Sequence, residues 1–167
     1  MGNLKASFTK RSPTIFLQTV IVLIGIGALV FMLWEPHLEG RNAHATIIQI
    51  YFNDPFLVYA YTASISFFVA LYQAFKLLGF IRQNKIFTQN SVRALRTIKY
   101  CAITLISFIV PAELYLFIVR PGDDIAGGVF IGLLIIFFSL VVTATATVFE
   151  RILQNVLDIK TKNNSTV

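Results

Sequence analysis

Among the residues able to do chemistry, Glu113 stands apart, because it lies inside an otherwise apolar run from about Tyr100 to Val119. It sits six residues, about 9 Å at 1.5 Å per residue, from the end of that run. A carboxyl group in such a place suits a proton or cation site, or it hydrogen-bonds a tyrosine or threonine at similar depth or reaches the headgroups. Tyr59, Tyr61 and Thr62 are the expected partners. At 100° per residue Glu113 shares a face with apolar Ala102, Ile106 and Ile109 rather than with Thr104 or Pro111, which favours the plain hydrogen bond. His37 and His44 fall near Glu35, Glu39 and Asp54, but without the compact spacing that metal ligands need. Catalysis needs a nucleophile, base or metal ligands that converge. The chain has no HExxH, no glycine-rich phosphate loop followed by lysine, and no serine in a nucleophile elbow. Neither an enzyme nor a metal or cofactor site is expected. The single cysteine, Cys101, cannot form an internal disulfide and reads as a small packing residue.

The elements that position these residues follow from composition. The 167 residues are 56% hydrophobic and 13% charged, with mean hydropathy +0.74, where soluble domains are nearer a quarter charged. The bilayer is the solvent this chain is built for. Four runs reach the roughly 20 residues a membrane helix requires: Thr14 to Trp34, Pro55 to about Phe80, Tyr100 to Val119, and Val129 to Phe149. The first is too long for a signal-peptide core, and Ala43-His44-Ala45 lies too far beyond it to be its cleavage site. The prediction is an all-α, four-helix membrane bundle occupying residues 1–167 as one domain.

Helix ends are marked locally. Pro13 is suited to a first helical turn, and Asn53-Asp54-Pro55 is an Asx cap followed by proline at the first helical position. Residues 45–52 are apolar enough for the membrane interface, as helix or strand. Pro111 is expected to bend the third span, and Arg120-Pro121-Gly122-Asp123-Asp124 reads as a tight turn. Small residues recur on one face of the second span (Ala63, Ser66, Ala70, Ala74) and of the fourth (Gly132, Ser139, Thr143 and Ala146 or Thr147). Such stripes let membrane helices approach closely, and the Gly128-xxx-Gly132 pair serves a bundle as well as a dimer.

The charges orient the bundle. Arg82 to Lys99 carries five of the fourteen basic residues and no acid. Twelve Lys and Arg fall in the N-terminal arm, the Lys76–Lys99 region and the tail after Phe149, against two (Arg41 and Arg120) in the other connections. The positive-inside rule then predicts that both termini and the 81–99 loop are cytoplasmic. Basic residues placed at span ends meet anionic membrane lipid, and no direct nucleic-acid contact is expected.

Thr88 or Asn90 is expected to cap a helix running through Lys99 into the third span, and the fourth is expected to continue two or three turns past Phe149. After Phe149 the pattern is amphipathic, with Ile152, Leu153, Val156 and Leu157 on the apolar side and Glu150, Arg151 and Asp158 away from it. Residues 160–167 are expected to fray. Val92, Leu95 and Ile98 would then lie beside that apolar side, leaving Arg93 and Arg96 exposed near the acids of that extension or to lipid phosphates. Arg93, Arg96, Val92, Leu95, Ile152 and Val156 are the expected docking residues for a cytoplasmic partner, against the alternative of a solvated basic loop. A small homo-oligomeric transporter or channel subunit using Glu113 is the second functional expectation.

Phe87-Thr88, Asn90, Leu95-Arg96, Ile98 and Val148-Phe149-Glu150 together resemble the signature of a bacterial family known as domain of unknown function 2975. Its members often end in Asp-Leu-Thr-aliphatic, and here only Thr166-Val167 agree, so no role of the tail is carried over. The resemblance implies a four-span protein of the bacterial inner membrane. Because members are often encoded beside small helix-turn-helix regulators, it also implies a regulatory protein partner.

Overall fold

The computed structural model describes residues 2–38, 55–119 and 126–164. They form four helices and, among the described residues, no strand: α1 (Gly2–Leu38), α2 (Pro55–Arg82), α3 (Gln89–Val119) and α4 (Ala126–Asn164). All four are long and apolar enough to cross a bilayer, so the chain is an all-α membrane protein. Packing follows chain order, α1 on α2, α2 on α3, and most extensively α3 on α4. The expected interfacial segment 45–52, the Asn53-Asp54 cap and the 120–124 turn lie outside the described residues.

The helices exceed the apolar runs that predict them. α1 begins at Gly2 and passes through Pro13 instead of opening there, although proline inside a helix loses one backbone hydrogen bond and crowds the carbonyl four residues back. α4 stays helical to Asn164, beyond the expected fraying point at Lys160, with Lys162 in its last turn where a cation complements the helix dipole. α3 includes Pro111. One turn before it, the Tyr59 hydroxyl of α2 donates to the Phe108 carbonyl at 2.7 Å, and the two rings meet edge to face at 5.2 Å.

Two solvents produce two kinds of packing. Within the apolar runs the large side chains point outwards; Phe16, Phe31, Ile118 and Phe130 are all more than half exposed, as lipid contact requires. The inward positions there are small or polar: Ala63 on α2, Ala102 on α3, and Gly132, Ser139 and Ala146 on α4. Lipid is as apolar as leucine and gives helices no hydrophobic reason to associate, so close approach does that work. The stripe of small residues on α4 is therefore spent within the chain. A Cβ added at Gly128 would meet Leu116 of α3 at 3.8 Å, and Gly132 lies against Glu113.

The aliphatic core lies at one end. Val92, Leu95 and Ile98 of α3 pack with Ala146 and Leu153 of α4, flanked by Leu77, Ile86 and Leu157. Val92 is 1% exposed and Leu153 4%. Burial of a side chain of this size is worth about 1.5–3 kcal/mol where water is the alternative. This basic end also holds the α2–α3 turn and the C-terminal part of α4.

The turn is closed by a defined C-cap. Asn84 takes φ 56°, the Lys85 amide donates to the Phe80 carbonyl at 2.8 Å, and the Asn84 amide donates to Ile81 at 3.0 Å. This is a Schellman motif with asparagine at its left-handed position. Thr88, not Asn90, stands at the N-cap of α3, its carbonyl receiving the Ser91 amide. The Lys85 carbonyl accepts the Thr88 and Ser91 hydroxyls at 2.9 and 3.4 Å. Asn84→Val is expected to lower stability by about 1–2 kcal/mol, while Asn84→Gly stays close to wild type. Thermal melting in detergent checks the pair, and equal melting of all three proteins would contradict the cap.

Candidate functional site

The basic end brings together residues from α3 and α4 that are 51 to 54 positions apart in sequence. Glu150 follows the apolar run of α4 and is 5% exposed. Its Oε1 accepts from Arg96 Nε at 2.7 Å and its Oε2 from Lys99 Nζ at 2.6 Å. By chemical type alone Glu150 belongs on the polar side of this extension. Position decides otherwise, because Ala146, Glu150, Leu153 and Leu157 are spaced four, three and four apart and form one inward stripe. The signal that locates Glu150 is that stripe, together with the basic pair three residues apart on α3. Burial by itself pushes the Glu150 carboxyl up; the hydrogen bonds and charges of Lys99 and Arg96 outweigh it and hold the group below the usual carboxylate range.

The expected docking residues divide. Val92 and Leu95 are buried in the α3–α4 contact, so they hold the two helices together and offer no surface. Arg96 is committed to Glu150, with its side chain 46% exposed. Arg93 is exposed, as are Ile152 at 50% and Val156 at 37%, and Ile159 extends the same stripe at 62%. Leu153, one residue from Ile152, faces α3 instead. The apolar side of this extension therefore has an inner stripe that packs and an outer stripe that does not.

Glu113 makes none of the expected hydrogen bonds. Tyr59 donates to Phe108, Tyr61 to the Met32 carbonyl at 2.6 Å, and Thr62 to Val58 one turn back. The Glu113 side chain instead crosses to α4 and lies on Gly132, where the 2.6 Å between its Cδ and an added Cβ leaves no room for one. Its Oε2 is sealed from solvent and has no hydrogen-bond partner among the described residues. The reason is local: only glycine at position 132 opens a gap between the helices, and Tyr59 and Tyr61 are already used by backbone carbonyls. Other hydroxyls of the spans, such as Thr104, Ser107, Thr143 and Thr147, donate to the carbonyl four residues back on their own helices. Among the described residues no group of three or more His, Cys, Asp or Glu could hold a metal ion.

Four membrane-capable helices and a packed extension at the basic end define an integral membrane protein of small polytopic type. Over residues 7–167 the chain matches the family described as "Protein of unknown function (DUF2975)", and it belongs to that family. It is 40% identical over 158 residues to the uncharacterized membrane protein YoaS of Bacillus subtilis strain 168, covering 94% of this chain and 99% of that one. No solved structure matches it.

Proposed function

We propose that this is a non-enzymatic protein of the bacterial inner membrane, with both termini cytoplasmic, whose basic end docks a cytoplasmic regulatory protein. The observation that carries the reading is the outer stripe Ile152, Val156 and Ile159. It lies on a rigid helix past the apolar run, is spaced four and three residues apart, and is exposed where the positive-inside rule puts water. Such a stripe suits a partner that lays an amphipathic helix along it, and exposed Arg93 and Arg151 suit an acidic rim on that partner.

Affinity purification of wild type against Ile152→Glu/Val156→Glu and against Arg93→Glu tests this. Wild type should retain one soluble protein that the double variant loses and Arg93→Glu holds more weakly, with all three melting within about 1 kcal/mol of one another because the altered residues are exposed. Recovery of lipid and chaperones alone from wild type would sink the proposal. Arg96 is left intact, since its reversal would set two acids against each other at Glu150.

A second reading, a small oligomeric transporter or channel subunit, is favoured by the unpartnered Glu113 oxygen. Glu113→Gln decides it. Unchanged protein level together with unchanged flux removes it.

A further inference from the structure

Between α2 and α4, floored by α3, an apolar groove of about 370 Å³ opens at the basic end. Leu77 and Ile81 of α2 and Ile86 of the turn form one wall; Val141, Thr145 and Leu153 of α4 form the other. Its lining is almost wholly apolar. From Val141 to Phe149 the groove follows α4 within its apolar run for about 12 Å at 1.5 Å per residue, most of the ~15 Å depth of half a hydrocarbon core, and it ends one turn further on at Leu153. The groove thus runs along one leaflet and closes just beyond it. Arg82, next to Ile81 at the end of α2, and Lys85, next to Ile86 in the turn, set two basic residues beside two of the lining positions. Both are exposed, and neither forms a salt bridge among the described residues, where Glu150 takes up Arg96 and Lys99 instead.

We infer that this groove holds one acyl chain of an anionic phospholipid, with Arg82 and Lys85 meeting its headgroup phosphate. An acyl chain matches an apolar slot that follows a leaflet. The cationic pair gives the site a preference that an ordinary lipid-facing surface lacks, because each Lys or Arg near the surface favours an anionic headgroup. The site is separate from the Ile152 stripe, and either can fail without the other.

Native mass spectrometry of the detergent-purified full chain tests the assignment with phosphatidylglycerol and phosphatidylcholine of identical acyl chains. Wild type should retain phosphatidylglycerol at least about tenfold better. Arg82→Gln/Lys85→Gln should erase the preference while leaving weak binding of both lipids. Thr145→Trp, which fills the groove, should remove both, while Leu140→Trp on the lipid-exposed side of α4 should bind as wild type does. Thr145→Phe gives the same test with a smaller side chain if the tryptophan variant does not fold. Equal retention of the two lipids by wild type would overturn the inference. So would unchanged binding by a folded Thr145 variant, or a lipid-free dimer whose contact is lost on filling the groove.

Discussion

Glu150→Ala is expected to lower the melting temperature of the detergent-solubilised protein by several degrees, about 5 °C or more, the largest loss from any single substitution at the basic end. Removing one partner of a buried ion pair leaves the others with no compensating charge. Lys99, with its side chain 19% exposed, is left in that position more completely than Arg96 at 46%, which rehydrates. Lys99→Met and Arg96→Gln should each do less damage than Glu150→Ala, because each leaves Glu150 one cation. The pair also gives the α3–α4 contact a pH dependence. Glu150 is held below its unfolded value, so its contribution is complete above the ordinary carboxylate range and is lost as pH falls through the lowered folded value. Wild type should melt at a steady temperature from neutral pH down to that range and then fall. Glu150→Gln should start lower and lack that part of the slope, and identical pH profiles would contradict the ion pair.

Exchanging the occupants of the Glu113–Gly132 contact is the second large effect. Gly132→Leu places a side chain where the Glu113 carboxyl already lies, and overpacking of this kind costs about 1–3 kcal/mol. Combining it with Glu113→Ala vacates the space from the other side, so the double variant should recover most of the loss and show coupling in a double-mutant cycle. Additive losses would show that the two residues do not meet. Glu113→Met tests the same contact from the polar side. It keeps the length of the side chain and removes a sealed oxygen that has no partner, so it should melt at or above wild type.

Much of the architecture was legible because lipid imposes a strong compositional rule. The four runs became four helices, Pro55 opened α2 where its type predicted, and α3 ran unbroken from Thr88 into the span because no Gly or Pro interrupts it. Val92, Leu95 and Ile98 met α4 as their spacing implied. Less legible was anything decided by rotation about a helix axis. Chemical type puts Glu150 on the polar side and the helical angle puts it inside, and Ile152 and Leu153 read alike in sequence yet one is half exposed and the other buried. The Glu113 contact depended on a glycine 19 positions away on another helix, which no local pattern announces. Asn84 carried its own clue, since asparagine tolerates the left-handed region, but the Schellman cap shows only in the hydrogen bonds.

The adjacent pair Ile152 and Leu153 permits the most direct test of a cytoplasmic docking surface. A photo-cross-linking amino acid introduced at each position in turn, in living cells, samples the outer and inner stripes of one helix. Position 152 should capture a single soluble cytoplasmic protein, and position 153 should capture α3 of the same chain. Capture of lipid alone from position 152, or the same products from both positions, would contradict the docking surface.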